Sequence, residues 1–81
     1  MREIYIVCEK DYIPSIFYVS EAEIPNSSKD DEFAFDQCVS DKVELLRSMN
    51  YGTFSTYLTA EDAEKDYDRR MEFFELLRSL M

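Results

Sequence analysis

The sequence has no histidine and no tryptophan, and its 81 residues include only one glycine, two prolines and two cysteines. General acid–base or nucleophilic catalysis needs a positioned base in a pocket that excludes water, and histidine most often supplies that base. A chain this short also has little volume for a cleft. We therefore predict no catalytic residues and no cofactor-binding residues, and we expect that the protein is not an enzyme.

The composition also argues against a metal site. Cys8 and Cys38 lie far apart, form no Cys-x-x-Cys pair and have no histidine to complete a set of zinc ligands. The acidic run Asp30–Glu32 lacks the glycine and the alternating ligands of a calcium-binding loop. We expect no bound metal and two reduced, partly buried thiols, and the sequence leaves open whether the cysteines have a redox role.

Long hydrophobic runs are missing near the start of the chain. The apolar run from Ile4 to Cys8 is too short for a secretory signal or a membrane span, and acids flank it at Glu3 and Glu9. We therefore expect a cytoplasmic protein, located in the host cell cytoplasm if a phage encodes it.

Acidic residues, by contrast, are abundant: 18 Asp and Glu stand against nine Lys and Arg, which gives a net charge of −9. The surplus is even, because residues 1–28, 29–50 and 51–81 each carry three more acids than bases. A hydrophobic content of 46% with 15% aromatics is too high for a disordered acidic tail. We predict a single acidic globular domain over residues 1–81 that does not bind nucleic acid directly, since it has no basic patch.

The first quarter of the chain predicts a β-hairpin. Residues 3–8 and 15–20 are rich in β-branched and aromatic side chains, and the polar segment 9–11 separates them. Pro14 belongs at the start or the edge of the second strand. Because side chains alternate along a strand, both faces of the hairpin carry apolar groups: Ile4, Ile6 and Cys8 on one, Tyr5 and Val7 on the other.

The rest of the chain predicts two helices around a third strand. Apolar residues recur at helical spacing over about 31–49, Thr53–Leu58 favours a strand, and a second helix should run from Ala60 to near the C-terminus. The predicted fold class is α+β, a ββαβα domain with a three-stranded antiparallel-type sheet and two helices on one face. The strand order is left open. The alternative drops the third strand and leaves a hairpin with a helical pair.

Capping signals mark the helix ends. Ser28 or Asp30 can cap the first helix, and Asn50 or Gly52 can supply the left-handed residue that stops it. Thr59, with Asp62 three residues later, resembles a capping box in which Asp takes the position of Glu.

Acids form a row along the second helix. At about 100° per residue, its core side should carry Ala60, Ala63, Tyr67, Met71 and Phe74. Five carboxylates occupy another arc over about 21 Å, and we call them the acidic ridge: Glu61, Glu64, Asp68, Glu72 and Glu75. We predict that the ridge binds a basic partner, with Asp30, Asp31 and Glu32 extending the negative surface if the fold brings them close.

The ridge also has a purely structural interpretation. Acids near a helix N-terminus complement the helix dipole, and Glu61–Lys65 and Asp66–Arg70 have the spacing of i,i+4 ion pairs. That interpretation leaves the total charge unexplained, because like charges at i,i+4 are destabilising and a net charge of −9 adds self-repulsion.

The apolar surface of the second helix widens in its C-terminal half. Phe73, Leu76 and Leu80 lie on a different arc from the core side, and we call them the apolar strip. Core packing under the sheet is the interpretation that we favour. The alternative is a contact with a partner or a homodimer, for which the sheet face of Tyr5 and Tyr18 is a second candidate.

In size, acidity, lack of catalytic groups and possession of the ridge, the chain resembles the small inhibitors made by phages and mobile elements, including DNA-mimic anti-restriction proteins and anti-CRISPR proteins. The resemblance lies in composition and in the ridge, not in a sequence motif. It implies a non-enzymatic inhibitor that occupies the nucleic-acid-binding groove of a basic host defence effector, such as a CRISPR-Cas complex or a restriction enzyme.

Two other functions fit the sequence. An antitoxin or immunity-type protein that neutralises a basic nuclease would need the same acidic surface. A structural or adaptor protein would instead use the tyrosine face and the apolar strip.

Overall fold

The computed structural model describes residues 2–23 and 33–80. It contains three strands and two α-helices in the order ββαβα, with a short 3-10 turn at Glu21–Glu23 after the second strand. The predicted α+β class and element order are confirmed. In the described ranges, no helix is long and apolar enough to cross a membrane.

Strands β1 (Glu3–Lys10) and β2 (Ile13–Ser20) form the hairpin, paired antiparallel along their whole length. The turn consists of two residues, Asp11 and Tyr12, with φ of 54° and 69°. Positive φ at both positions is the pattern of the type I′ turn, whose twist matches that of the flanking strands. Each strand therefore extends two residues closer to the turn than predicted. Pro14 lies near the start of β2, as expected.

Strand β3 (Gly52–Tyr57) pairs antiparallel with β1, so the sheet order is β2-β1-β3 and β1 is central. The alternative fold without a third strand is wrong. The register shifts between Val7 and Glu9, where Thr53 has a φ of 55°. Both outer strands are antiparallel to β1 and hence parallel to each other, so the connection between them has to cross β1.

Helix α1 (Ala34–Ser48) makes that crossing. Its inward side chains Phe35 and Leu46 are buried against the β1–β2 face that carries Ile6, Cys8 and Val19. Phe33 occupies the N-cap position with no side-chain capping bond. The predicted caps Ser28 and Asp30 lie outside the described residues. Beyond the helix, Asn50 has a φ of 73°, whereas Gly52 does not have a positive φ, so Asn50 is the left-handed residue.

Helix α2 (Ala60–Ser79) packs on the opposite face of the sheet. Two β3 side chains hydrogen-bond to α2: the Tyr57 hydroxyl donates to Asp66, and Ser55 Oγ accepts from Arg70. They pair in register with Tyr5 and Val7, whose side chains lie on the face of β1 opposite to the one that α1 covers. The prediction that both helices lie on one face is therefore wrong. The physical reason is visible in β1, which is apolar on both faces: Val7 is as fully buried as Ile6.

The N-terminus of α2 is capped as predicted. The Thr59 Oγ1 accepts a hydrogen bond from the Asp62 backbone N–H at 3.2 Å. This bond satisfies one of the free N–H groups of the first turn, and Glu61 and Asp62 in that turn complement the positive end of the helix dipole.

The two cysteines are free thiols in different surroundings. Cys8 is completely buried, whereas Cys38 on α1 is half-buried. Burial raises the pKa of the Cys8 thiol, Arg70 opposes the rise and Glu9 adds to it. Because the thiolate is the reactive form, Cys8 is doubly protected from modification, by burial and by its protonation.

We predict that native protein exposes only one reactive thiol to an aromatic disulfide reagent at neutral pH. Cys38 should react, and Cys8 should react only in denaturant, because its sulfur is enclosed between the sheet and α1. The labelling reaction is followed by absorbance in wild type and in two matched variants, Cys38→Ser and Cys8→Ala. Rapid labelling of native Cys38→Ser protein would contradict the burial of Cys8.

Candidate partner-binding surface

All five side chains of the acidic ridge are exposed to solvent on α2. The side of the helix that faces the sheet is marked by the buried residues Ala63 and Asp66. The arc that the helical wheel assigned to the ridge is therefore the outer one. On the inner side, Tyr67, Met71 and Phe74 are half-buried as expected, but Ala60 is exposed.

Few positive charges compensate the ridge. Lys65 Nζ lies 3.5 Å from Glu61 Oε1, which confirms the predicted i,i+4 pair, and both side chains remain mostly exposed. An exposed pair of this kind contributes at most a few tenths of a kcal/mol. Within residues 2–23 and 33–80, no ion pair involves Glu64, Asp68, Glu72 or Glu75. Four of the five ridge carboxylates thus keep an unneutralised charge in this part of the chain.

Two nearby arginines are directed to a different carboxylate, Asp66, which is only 4% exposed. Asp66 Oδ1 accepts hydrogen bonds from Arg69 Nη2 at 2.8 Å and from Arg70 Nε at 3.1 Å. Its other oxygen accepts a hydrogen bond from the Tyr57 hydroxyl at 2.7 Å. We call these four residues the Asp66 cluster. The predicted i,i+4 pair of Asp66 and Arg70 is confirmed, but it lies on the buried side of α2 and not on its surface.

Arg70 extends the cluster across the sheet. Its guanidinium donates to the Thr53 backbone carbonyl at 2.6 Å and to Ser55 Oγ at 3.1 Å, and it lies 3.6 Å from Glu9 Oε2. One side chain of α2 therefore contacts both β3 and β1. Because a guanidinium is planar with donors in fixed directions, these contacts fix the rotation of α2 about its own axis.

The ionisation of the cluster favours the same arrangement. Burial by itself opposes the charge on Asp66, but hydrogen bonds from Arg70, Tyr57 and Arg69 outweigh it, so the pKa of Asp66 is lowered. The hydrogen bond to Asp66, and then burial, raise the pKa of Tyr57. Asp66 is thus ionised and Tyr57 is protonated at neutral pH, which are the states that their hydrogen bond requires.

Sequence reasoning missed the structural importance of Asp66. It follows Ala63 by three residues and precedes Arg70 by four, so it lies on the face that bears the buried Ala63. That spacing was a usable signal, because a carboxylate on a core-facing arc needs partners. Nothing in the sequence indicated that Tyr57 on β3 would be a hydrogen-bond partner of Asp66.

The apolar strip is exposed. Phe73, Leu76 and Leu80 retain 54%, 58% and 76% of their accessible surface. The interpretation as core packing is therefore wrong. The apolar residues of this half, from Met71 to Leu80, cover about 220° of the helix surface at 100° per residue. This arc is wider than the apolar stripe of a helix that packs one side against a sheet.

The tyrosine face is not an open surface. Tyr5 and Tyr18 stack with ring centroids 5.9 Å apart on the side of the sheet that α2 covers. Tyr5 is half-buried and donates its hydroxyl to Glu3 Oε2, and burial followed by this bond raises the pKa of Tyr5. Tyr18 remains half exposed. The face is thus less available to a partner than the sequence indicated.

The remaining predicted partner-binding residues, Asp30, Asp31 and Glu32, lie outside the described residues. In the described part of the chain, no three His, Cys, Asp or Glu side chains are grouped so as to hold a metal ion.

Comparison with known proteins adds no relative. No protein-family model matches the chain, and neither a curated protein nor a solved structure matches it.

We predict that Asp66→Ala lowers the free energy of unfolding by about 3 kcal/mol, because it removes the hydrogen-bonded carboxylate of the largely buried Arg70 and leaves only the more distant Glu9. Asp68→Ala is the matched control, an exposed aspartate two residues along the same helix, and should change stability by less than about 0.5 kcal/mol. Urea unfolding followed by circular dichroism at pH 7 measures both. Equal changes in the free energy of unfolding of the two variants would show that Asp66 does not have this structural role.

The contribution of the Asp66 charge should depend on pH. The pKa of Asp66 is lower in the folded protein than in the unfolded chain, so its ionisation stabilises the fold above the unfolded pKa, and this stabilisation disappears as pH falls through the folded pKa. We expect the stability difference between wild type and Asp66→Asn to be largest at neutral pH and to shrink below about pH 4. A difference that stays constant down to pH 2 would contradict this assignment.

Proposed function

We propose that this protein is a non-enzymatic acidic inhibitor that binds a basic nucleic-acid-binding protein and blocks its DNA or RNA site by phosphate mimicry. The observation that carries the proposal is the acidic ridge, which is exposed and largely unpaired, while Arg69 and Arg70 bond to Asp66 instead. The ridge is held on a 20-residue helix, so its charges keep a fixed spacing.

The spacing of the ridge suits one strand of a nucleic acid. Duplex DNA carries a phosphate about every 3.4 Å along each strand, so about six phosphates of one strand occupy the 21 Å over which the ridge has five carboxylates. Both strands together would present about twelve over this length. The ridge therefore provides the charge density of a single strand, which a groove lined with Lys and Arg would accept.

The ridge has a cost that a binding role explains. Glu64 and Asp68, and Asp68 and Glu72, are like charges at i,i+4, and each pair destabilises an isolated helix by a few tenths of a kcal/mol. A net charge of −9 adds repulsion across the whole domain. A cationic groove would remove both penalties on binding and would attract the protein from a distance.

The class of target rests on the resemblance to phage inhibitors of host defence. We propose a basic effector such as a CRISPR-Cas complex or a restriction enzyme, met in the cytoplasm of the host cell. A basic nuclease neutralised by an antitoxin or immunity-type protein presents the same surface.

A second candidate function is that of an adaptor that binds through apolar contacts. The exposure of the apolar strip favours it, because Leu76 and Leu80 are more than half exposed. Salt distinguishes the two functions. Charge mimicry weakens steeply as ionic strength rises, whereas apolar contact does not.

We predict that the variant Glu64→Lys, Asp68→Lys, Glu72→Lys loses binding to the target by at least about tenfold, since it reverses the centre of the ridge. Its fold should be intact by circular dichroism, because all three side chains are exposed and the two like-charge i,i+4 pairs of wild type are only exchanged for two of the opposite sign. The assay captures the target from host lysate on immobilised protein and then elutes it with salt or with excess duplex DNA.

The matched control is Asp36→Lys, Asp41→Lys, Glu44→Lys on α1. It makes the same change in net charge, from −9 to −3, with exposed residues on the opposite side of the sheet. Control protein should bind nearly as well as wild type and be eluted by DNA. Equal loss in both variants would show that only the total charge matters, and a target that resists both salt and DNA would reject phosphate mimicry.

A further inference from the structure

The apolar strip and the acidic ridge are neighbours on α2. Leu76 follows Glu72 by four residues, so the two side chains lie side by side on the helix surface. Phe73, Leu76 and Leu80 repeat at spacings of three and four over about 10 Å, and the strip begins beside Glu72 and Glu75, where the ridge ends. The outer surface of α2 is thus anionic along most of its length and continues into an apolar strip in the last two turns.

The strip is not explained by the fold. Its three side chains are 54% to 76% exposed, while Phe74 and Leu77 of the same turns are half-buried. The strip is therefore the apolar part of these turns that the fold leaves exposed to solvent. Three large apolar side chains in line on one helix form a patch of the kind that partners bind.

Charge argues against a second copy of this chain as the occupant. Pairing two α2 helices through the strip would bring two ridges close together on molecules that each carry a net charge of −9. Of the four bases on α2, Arg70 and Arg69 are bonded to Asp66 and Lys65 to Glu61, so within the described residues Arg78 is the only one of the four with no ion pair. The complementary occupant has the opposite sign.

We propose that the ridge and the strip together form one docking surface for a cationic amphipathic helix of the target protein. Apolar side chains of that helix at i, i+3 or i+4 and i+7 would pack on the strip, and Lys or Arg along one flank would face the ridge. The proposal rests on the function proposed above and adds to it, because the target is then recognised by an apolar row beside its basic residues and not by charge alone.

The test uses the full-length protein and two synthetic peptides of about fourteen Leu and Lys residues, long enough to form a helix on binding. One segregates Leu and Lys onto opposite helix faces. The other has the same composition in an order that does not segregate them. Wild type should bind the segregated peptide at least about tenfold more tightly, which corresponds to 1.4 kcal/mol.

Three variants locate the binding. Leu76→Ser, Leu80→Ser should bind both peptides equally, because only the preference for the segregated peptide depends on the strip. Leu45→Ser, Leu58→Ser is the matched control, with two exposed leucines outside α2, and should keep the preference. The ridge reversal Glu64→Lys, Asp68→Lys, Glu72→Lys should weaken both peptides by at least about tenfold. If circular dichroism shows that the double variant is unfolded, the single variant Leu80→Ser is used in its place.

The outcomes separate this inference from the proposed function. An unchanged preference in the strip variant, with weaker binding in the ridge variant, overturns the docking surface and leaves charge recognition standing. Unchanged binding in the ridge variant overturns both. Sedimentation of the free protein supplies the remaining outcome: a dimer that salt strengthens and that the strip variant lacks would make a second copy the occupant and overturn the proposal.

Discussion

The contact between one buried carboxylate and two arginines determines how this protein presents its charge. Asp66 holds Arg69, Arg70 and the Tyr57 hydroxyl, and Arg70 continues to the backbone of β3. A buried charge is tolerated only when it is paired and hydrogen-bonded, so these contacts specify one orientation of α2 on the sheet. In that orientation the acidic ridge faces solvent, and Arg69 and Arg70 are bonded to Asp66 instead of to the ridge.

The sheet imposes the second constraint. Its central strand β1 has apolar side chains on both faces, with Ile6 and Val7 both fully buried, so each face needs its own cover. Helix α1 covers one and α2 covers the other, and the two helices present separate outer surfaces. The acids of α1 are consequently not part of the ridge, although they add to the net charge.

Together these constraints produce a surface with two properties on one element. In the proposed complex, the ridge would supply long-range attraction, which speeds encounter and falls with salt. The apolar strip would supply short-range contact, which depends on shape and distinguishes one cationic partner from another. Neither property requires a cavity or a catalytic group, and both are carried by a helix that Asp66 and Arg70 attach to the sheet.

Sequence patterns were sufficient for the elements and for the exposed charge. The α+β class, the hairpin, the cap at Thr59 and the ridge all follow from local spacing, which neighbouring residues determine. The use of both sheet faces, the strand order, the burial of Asp66 and the exposure of Leu76 depended on tertiary packing. They depended on it because the spacing of residues along a helix or strand shows which side chains share a face, whereas only contact between distant segments decides which face is buried and against what.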